Sequence, residues 1–279
     1  MSPSASVLAR KVKLPSAPVI VQRLHDLINK ETTGARDIGR LIAADQALTA
    51  RVLRVVNSPF YGFSKKITAV PDAIKIMGIK AIHRLVLAAS VMESFGDEID
   101  RTINAKSFWL HSLGTGLVAK HLIRTGDKEL ASEALTAGIL HDIGRLLFIL
   151  ADSDWFQMAY GKSQSACDLK REEEFFGLDH QAVGAELAAR WNFPDRIREA
   201  IEHHHQPEKA DATNVIVAAV SVADLICHAL QIGDSASFYV SQFSPEAWAR
   251  LKIGYDELPG ILRGALKELS ETQRALLAS

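Results

Sequence analysis

Apolar residues recur along this chain at three- and four-residue intervals, and nowhere is there a sustained strand-like alternation bounded by hairpin turns. The pattern predicts helices over Val19–Asn29, through Ile38, Leu41 and Ile42, and after Asp45, which is placed to cap a helix carrying Leu48, Val52, Leu53 and Val56. Asn57–Gly62 (NSPFYG) ends that helix with turn-forming residues, and Phe60, Tyr61 and Phe63 read as a local packing group. Asn57 is placed to hydrogen-bond backbone at the corner. Further helices are expected from Thr68–Pro71 to Met77, from Ile79 to Phe95, over Ser107–Arg124 and over Glu129–Leu150, the last with a bend near Gly138. Asp154–Tyr160, Ser165–Phe176, His180–Trp191, the stretch from Pro194 to His205, Asn214–Gln231, a segment around Trp248, and Asp256–Leu269 complete an all-α chain of about thirteen helices.

Composition agrees with a globular protein: of 279 residues, 48% are hydrophobic and 23% charged, enough for one large or two modest domains. The polar run Gly96–Thr102 (GDEIDRT) reads as the junction between two regions. A net charge of -1 supplies no field that would attract nucleic acid. Cys167 and Cys227 have no metal-motif spacing, residues 1–13 read as a loose leader without a signal-like apolar run, and the apolar Val215–Leu230 is shorter than a usual span. Direct nucleic-acid binding and membrane insertion are therefore not expected, and a reducing, cytoplasmic setting is.

Against this apolar background the ionisable groups stand out. Leu135–Leu150 (LTAGILHDIGRLLFIL) is nearly all apolar, yet carries His141 and Asp142 at its centre. A carboxylate buried there is costly unless a cation, a metal or several donors meet it. His111 lies among Trp109, Leu110 and Leu113; His180 opens a helix; His203, His204 and His205 close another; Asp224 sits in VAAVSVADLICHAL. Taken singly, each is as well read as a hydrogen-bonded core histidine, a solvated helix end or an ion-paired aspartate, and His228 is read that way. Taken together they suit a metal site of imidazole and carboxylate, for which iron, manganese, nickel and zinc all qualify. Adjacent helical residues point about 100° apart, so the pairs His141–Asp142 and His204–His205 would each more easily serve two neighbouring ions than one.

This constellation resembles the HD superfamily of metal-dependent phosphohydrolases, with His111, the doublet His141–Asp142 and Asp224 at the matching places. His180, Gly184, His204 and His205 resemble the additional pattern of the HD-GYP phosphodiesterases. The resemblance implies a metal set of His111, His141, Asp142, His180, His204, His205 and Asp224, with two divalent transition-metal ions, iron or manganese foremost. It also implies Asp142 and Arg145 as catalytic residues. The chain departs from that pattern after His205, where HHHQPEKADAT has no GYP loop to shape a cyclic-dinucleotide pocket, and at Arg145, where a lysine is expected.

The first half narrows the likeness. LPSAP, IAADQALTARVLRVVNSPFYG and AVPDAIKIMGIKAIHRLVLA are very similar to the HDOD domain, with the resemblance running from Leu14 to Gln231. It implies an N-terminal helical subdomain (14–100), an HD-like metal-binding core (101–232) and a C-terminal helical extension packed on that core (233–279). HDOD domains are bacterial regulatory modules that usually lack some of these ligands. Three functions stay open: a regulatory module with a protein partner and a retained metal centre, an active phosphohydrolase on a nucleotide or other phosphoester, or a metal-free helical scaffold.

Overall fold

The computed structural model describes residues 14–28, 34–57, 66–93, 95–124, 126–160, 168–236, 240 and 242–277. All regular structure among them is helical: sixteen α-helices and one 3-10 turn at Pro207–Lys209. Ser58–Phe63, the leader 1–13 and Cys167 lie outside the described residues.

The described residues divide into two compact units, one of residues 16–93 with 266–277 and one of 14–15 with 95–265. The first contains α1 (Val19–Ile28), α2 (Ala35–Ala43), α3 (Gln46–Val56), α4 (Val70–Met77) and α5 (Ile79–Glu93). Its core is the predicted apolar stripe: Leu24, Ile38, Ile42, Leu48, Val52, Val56, Val70, Ile74, Ile82 and Val86 interlock. Each such side chain, fully buried, contributes about 1.5–3 kcal/mol. Asp45 caps α3 as expected, accepting from the Leu48 amide at 2.9 Å. Asn57 does bind backbone at the corner. Its Nδ2 donates to the carbonyls of Leu53 (2.8 Å) and Ile67 (2.6 Å), and its Oδ1 accepts from the Ile67 amide (2.7 Å).

The larger unit opens with α6 (Gly96–Thr102), α7 (Ala105–Leu122), α8 (Lys128–Leu140) and α9 (Ile143–Ala151). There follow α10 (Ser153–Tyr160), α11 (Asp168–Phe176), α12 (His180–Arg190), α13 (Asp195–His203), α14 (Val215–Ala229) and α15 (Pro245–Leu251). The last helix, α16 (Leu258–Leu277), contributes its residues up to Ala265 to this unit. Helix α7 packs on α8, α14 crosses α7, α8 and α13, and α9 packs on α12. Side-chain caps start the helices that matter here: Asn104 for α7, Asp127 for α8, Asp179 for α12 and Asn214 for α14.

The expected junction at Gly96–Thr102 holds to within a residue or two, since the division between the two units falls just before Phe95; the run is itself a short helix, with Phe95 and Ile99 buried. One expectation is corrected. The central helix is two helices, and it is interrupted at His141–Asp142 rather than bent at Gly138. Lys128–Ala151 is long and apolar enough to cross a membrane, but 83% of its most apolar window is buried inside the fold, so its apolar surface is already covered by protein.

Candidate metal centre

The break between α8 and α9 sets up the site. A continuous helix would turn one of two adjacent residues away from the interior. Here His141 is the last residue with helical geometry, and Asp142 (φ -97°, ψ 14°) sits in the turn that starts α9. Both side chains face inward, with His141 Nε2 3.3 Å from Asp142 Oδ2. His204 and His205 occupy the equivalent position just past the end of α13, with ring centroids 4.1 Å apart. Gly144 lets the start of α9 touch the start of α12, since a Cβ there would lie 1.9 Å from the His180 carbonyl oxygen. That approach puts His180 Nε2 3.3 Å from Asp142 Oδ1.

From α7, His111 Nε2 reaches Asp224 Oδ1 on α14 at 3.1 Å. His141 Nε2 lies 3.5 Å from the same oxygen, His204 Nε2 3.7 Å from Asp142 Oδ1, and His205 Nδ1 3.9 Å from Asp224 Oδ2. The seven residues singled out from sequence thus meet in one interior, all within the 95–265 unit. Among the described residues, their ligand atoms form three overlapping groups, each within 4.8 Å: Asp142–His180–His204–His205, His111–His141–Asp142 and His111–Asp224–His228. His111, His141, Asp142, His180, His204 and Asp224 are each no more than 2% exposed. Arg145 is equally buried. Its Nε donates to Asp142 Oδ1 at 2.9 Å and its guanidinium lies 5.6 Å from the centre of the Tyr160 ring.

Two participants were missed by sequence reasoning. Glu172, fully buried on α11, accepts from the His180 amide (2.7 Å), from His180 Nδ1 (2.7 Å) and from the Tyr160 hydroxyl. In the run Glu172–Glu173–Glu174 nothing in composition separates the three. Only the spacing Leu169, Glu172, Phe176 marks 172 as inward. His228, read as an ordinary core histidine, lies 3.4 Å from Asp224 Oδ1. The signal was its position four residues after Asp224, on the same helix face.

The hydrogen bonds on the outer ring nitrogens decide which atoms face the centre. Carbonyl oxygens only accept, so Nδ1 must donate in His141 (to Gly138 O, 2.8 Å), His204 (to Ile201 O, 2.9 Å) and His111 (to Ile232 O, 3.2 Å). In His180, the Glu172 carboxylate imposes the same choice. In its neutral form each ring turns an Nε2 lone pair inward. His180 Nε2 and His204 Nε2 face one another at 3.4 Å, beside the Asp142 carboxylate. Only a proton or a metal cation can reconcile lone pairs and carboxylate oxygens so arranged.

Charge points the same way. Asp142, Asp224 and Glu172 are buried against one buried guanidinium, Arg145, which leaves two negative charges when the imidazoles are neutral. Burial works against ionisation of Asp142, but Arg145 and His141 outweigh it and hold its pKa well below the usual carboxylate range. Asp224 is held well below it in the same way, against burial, by the imidazoles of His111 and His141 beside it. Burial, with neighbouring imidazoles, pushes His204 down and His205 far down, keeping both neutral. For His141 burial also works downward, but Asp142 and Asp224 prevail and raise it to about 10. His141 Nε2 and Asp224 Oδ2 are nevertheless buried without a hydrogen-bond partner. Unpartnered polar atoms, imidazoles held neutral at His204 and His205, and more buried carboxylates than buried cations are what a divalent cation requires, and these residues fit one.

Comparison with known proteins finds the same fold elsewhere. A crystal structure of an HDOD domain protein of unknown function from Geobacter sulfurreducens superposes with a TM-score of 0.69 at 24% identity, covering 99% of this chain and 94% of that one. A candidate phosphohydrolase from Shewanella amazonensis SB2B gives 0.71 at 25% identity, covering 98% and 99%. An uncharacterised protein of Treponema pallidum (strain Nichols) is 26% identical over 230 residues, 80% of this chain but 44% of that one, so the chain spans less than half the length of this curated relative. A family model for the HDOD domain matches residues 14–207, ending before Asp224 and His228. With over half its length matched and its histidines and aspartates gathered around the HD doublet, the chain belongs to the HDOD domain family of the HD superfamily.

Proposed function

We propose that this protein is a bacterial, cytoplasmic regulatory module in which an HD-type centre holds divalent transition metal, two ions when fully loaded. Iron or manganese suits the donor set first, nickel or zinc next. The observation that carries the reading is the pair of Nε2 lone pairs meeting at 3.4 Å beside a buried carboxylate. Asp142, His180, His204 and His205 would hold one ion, with His111, His141 and Asp224 completing the set. A bound ion can acidify water and polarise a phosphoryl oxygen. The residues themselves favour a structural use. Six of the seven are sealed from solvent, and the Arg145 guanidinium is turned onto Asp142. The metal ties α7, α8, α9, α12, α13 and α14 together, and a protein partner reads the resulting surface.

The second reading is an active phosphohydrolase on a nucleotide or other phosphoester. It is favoured by the presence of every ligand type that the HD pattern calls for, and by the likeness to the candidate phosphohydrolase. Elemental analysis of protein purified without a histidine tag, followed by a phosphatase and cyclic-dinucleotide screen in iron or manganese, separates the two. Metal without turnover supports the regulatory module, and turnover lost on changing His141 or Asp142 supports the enzyme. Neither metal nor turnover leaves the scaffold.

A further inference from the structure

The inner group accounts for Asp142, His180, His204 and His205, but leaves His228 unused. His228 and Asp224 lie one turn apart on α14 and project from one face. His228 Nε2 stands 3.4 Å from Asp224 Oδ1, longer than the about 2.9 Å of an ordinary N–H···O bond. His111 Nε2 stands 3.1 Å from the same oxygen, and its Nδ1 hydrogen is already committed to Ile232 O. Donors at about 2.0–2.1 Å from a tetrahedral ion sit about 3.3 Å from one another. The two measured separations bracket that value.

The chain after α14 is shaped to fix this arrangement. Gly233 (φ 65°) folds back so closely on α7 that a Cβ would lie 2.4 Å from the His111 amide nitrogen. The Asp234 amide then donates to Ser107 O at 3.1 Å, and Ile232 O receives the His111 ring. The two imidazoles, 4.8 Å apart and tilted by 54°, converge on one oxygen rather than stack. His228 also differs from the inner ligands in exposure: its side chain is 13% accessible, whereas those of His111 and Asp224 are 1%.

We infer that His228 joins His111 and Asp224 as a ligand of the second ion, at the solvent edge of the interior, where water fills that divalent transition metal's remaining positions. This group shares no residue with Asp142, His180, His204 and His205, while His141 lies 3.3 Å from Asp142 and 3.5 Å from Asp224 and so joins the two. The inference rests on the metal reading above and adds His228 as a ligand outside the pattern expected of the family.

Untagged protein stripped with chelator and titrated with cobalt(II) tests it, with bound ions counted per chain and the visible d–d bands recorded. Wild-type protein should take two ions. His228→Gln should still fill the inner site with an unchanged spectrum, but bind the second ion about 10–100-fold more weakly. Unchanged affinities in His228→Gln would overturn the inference while leaving the two-ion reading standing. A single ion in the wild type would overturn the inference and the two-ion reading together, and no ion would remove the metal reading altogether. Should His228→Gln fail to fold by circular dichroism, contact-shifted exchangeable imidazole N–H signals in nitrogen-15-labelled wild-type cobalt protein decide: a shifted signal assigned to His228 supports the assignment, and an unshifted His228 ring refutes it.

Discussion

At the scale of single residues, what each buried polar atom faces decides the chemistry. Asp142 meets Arg145, His141, His180 and His204. Changing it to asparagine strips Arg145 of its charged partner and should cost about 3–5 kcal/mol. Loss of bound metal should accompany it, read as a chelator-insensitive melting curve where the wild type is chelator-sensitive. Glu172 works one step removed by holding the His180 Nδ1 hydrogen. Glu172→Gln should weaken metal binding by about 10–100-fold, whereas Tyr160→Phe, which leaves the carboxylate on His180, should change it far less; direct metal titration measures both. The HD doublet was legible in the sequence because a charged pair in an apolar run is a physical anomaly. Glu172 was not, because two glutamates beside it disguise it. His228 was passed over because a histidine on an apolar helix has an ordinary explanation until its partner is located in space.

At the scale of elements, periodicity located most of the helices, since apolar positions three and four apart must share a face. It did not locate the break at His141–Asp142, because the pattern of Leu135–Leu150 runs on unbroken while the chain stops and restarts. The reason is functional geometry: both members of the doublet face inward only if the helix yields between them. The polar run Gly96–Thr102 did mark the division between the two units, though two buried anchors, Phe95 and Ile99, make a short helix of it. Gly144 is the contact on which the juxtaposition of α9 and α12 depends. Gly144→Ala drives a methyl into the His180 carbonyl and should destabilise the protein by about 1–3 kcal/mol or more. Displacement of His180 should also lower metal content, so denaturant unfolding and metal analysis should fall together.

At the scale of the whole molecule, the two compact units have separate chemistries. The larger gathers the metal-compatible groups. The other has an apolar core and, among its described residues, one titratable anomaly, His83. Burial, followed by the neighbouring His25 and Arg84, lowers its pKa to about 4 from the ordinary 6.5. The unfolded chain then binds a proton that the folded chain refuses between those values. Its contribution to stability is therefore intact above pH 6.5 and is lost as pH falls toward 4, by up to about 3 kcal/mol. Chemical denaturation across that range should show a shallower acid loss in His83→Gln than in the wild type; parallel curves would exclude His83 as the cause.

The division of function follows: a helical body readable from its hydrophobic pattern, and an interior whose purpose emerges only when distant helices are brought together. The central claim is that a cation lies where the imidazoles of His180 and His204 turn their lone pairs toward Asp142. Anomalous diffraction from crystals of untagged protein grown with iron or manganese examines that point directly. The account predicts a metal peak bound by Asp142, His180, His204 and His205. Well-ordered rings with no anomalous peak among them, in protein that folds and melts identically with and without chelator, would contradict it.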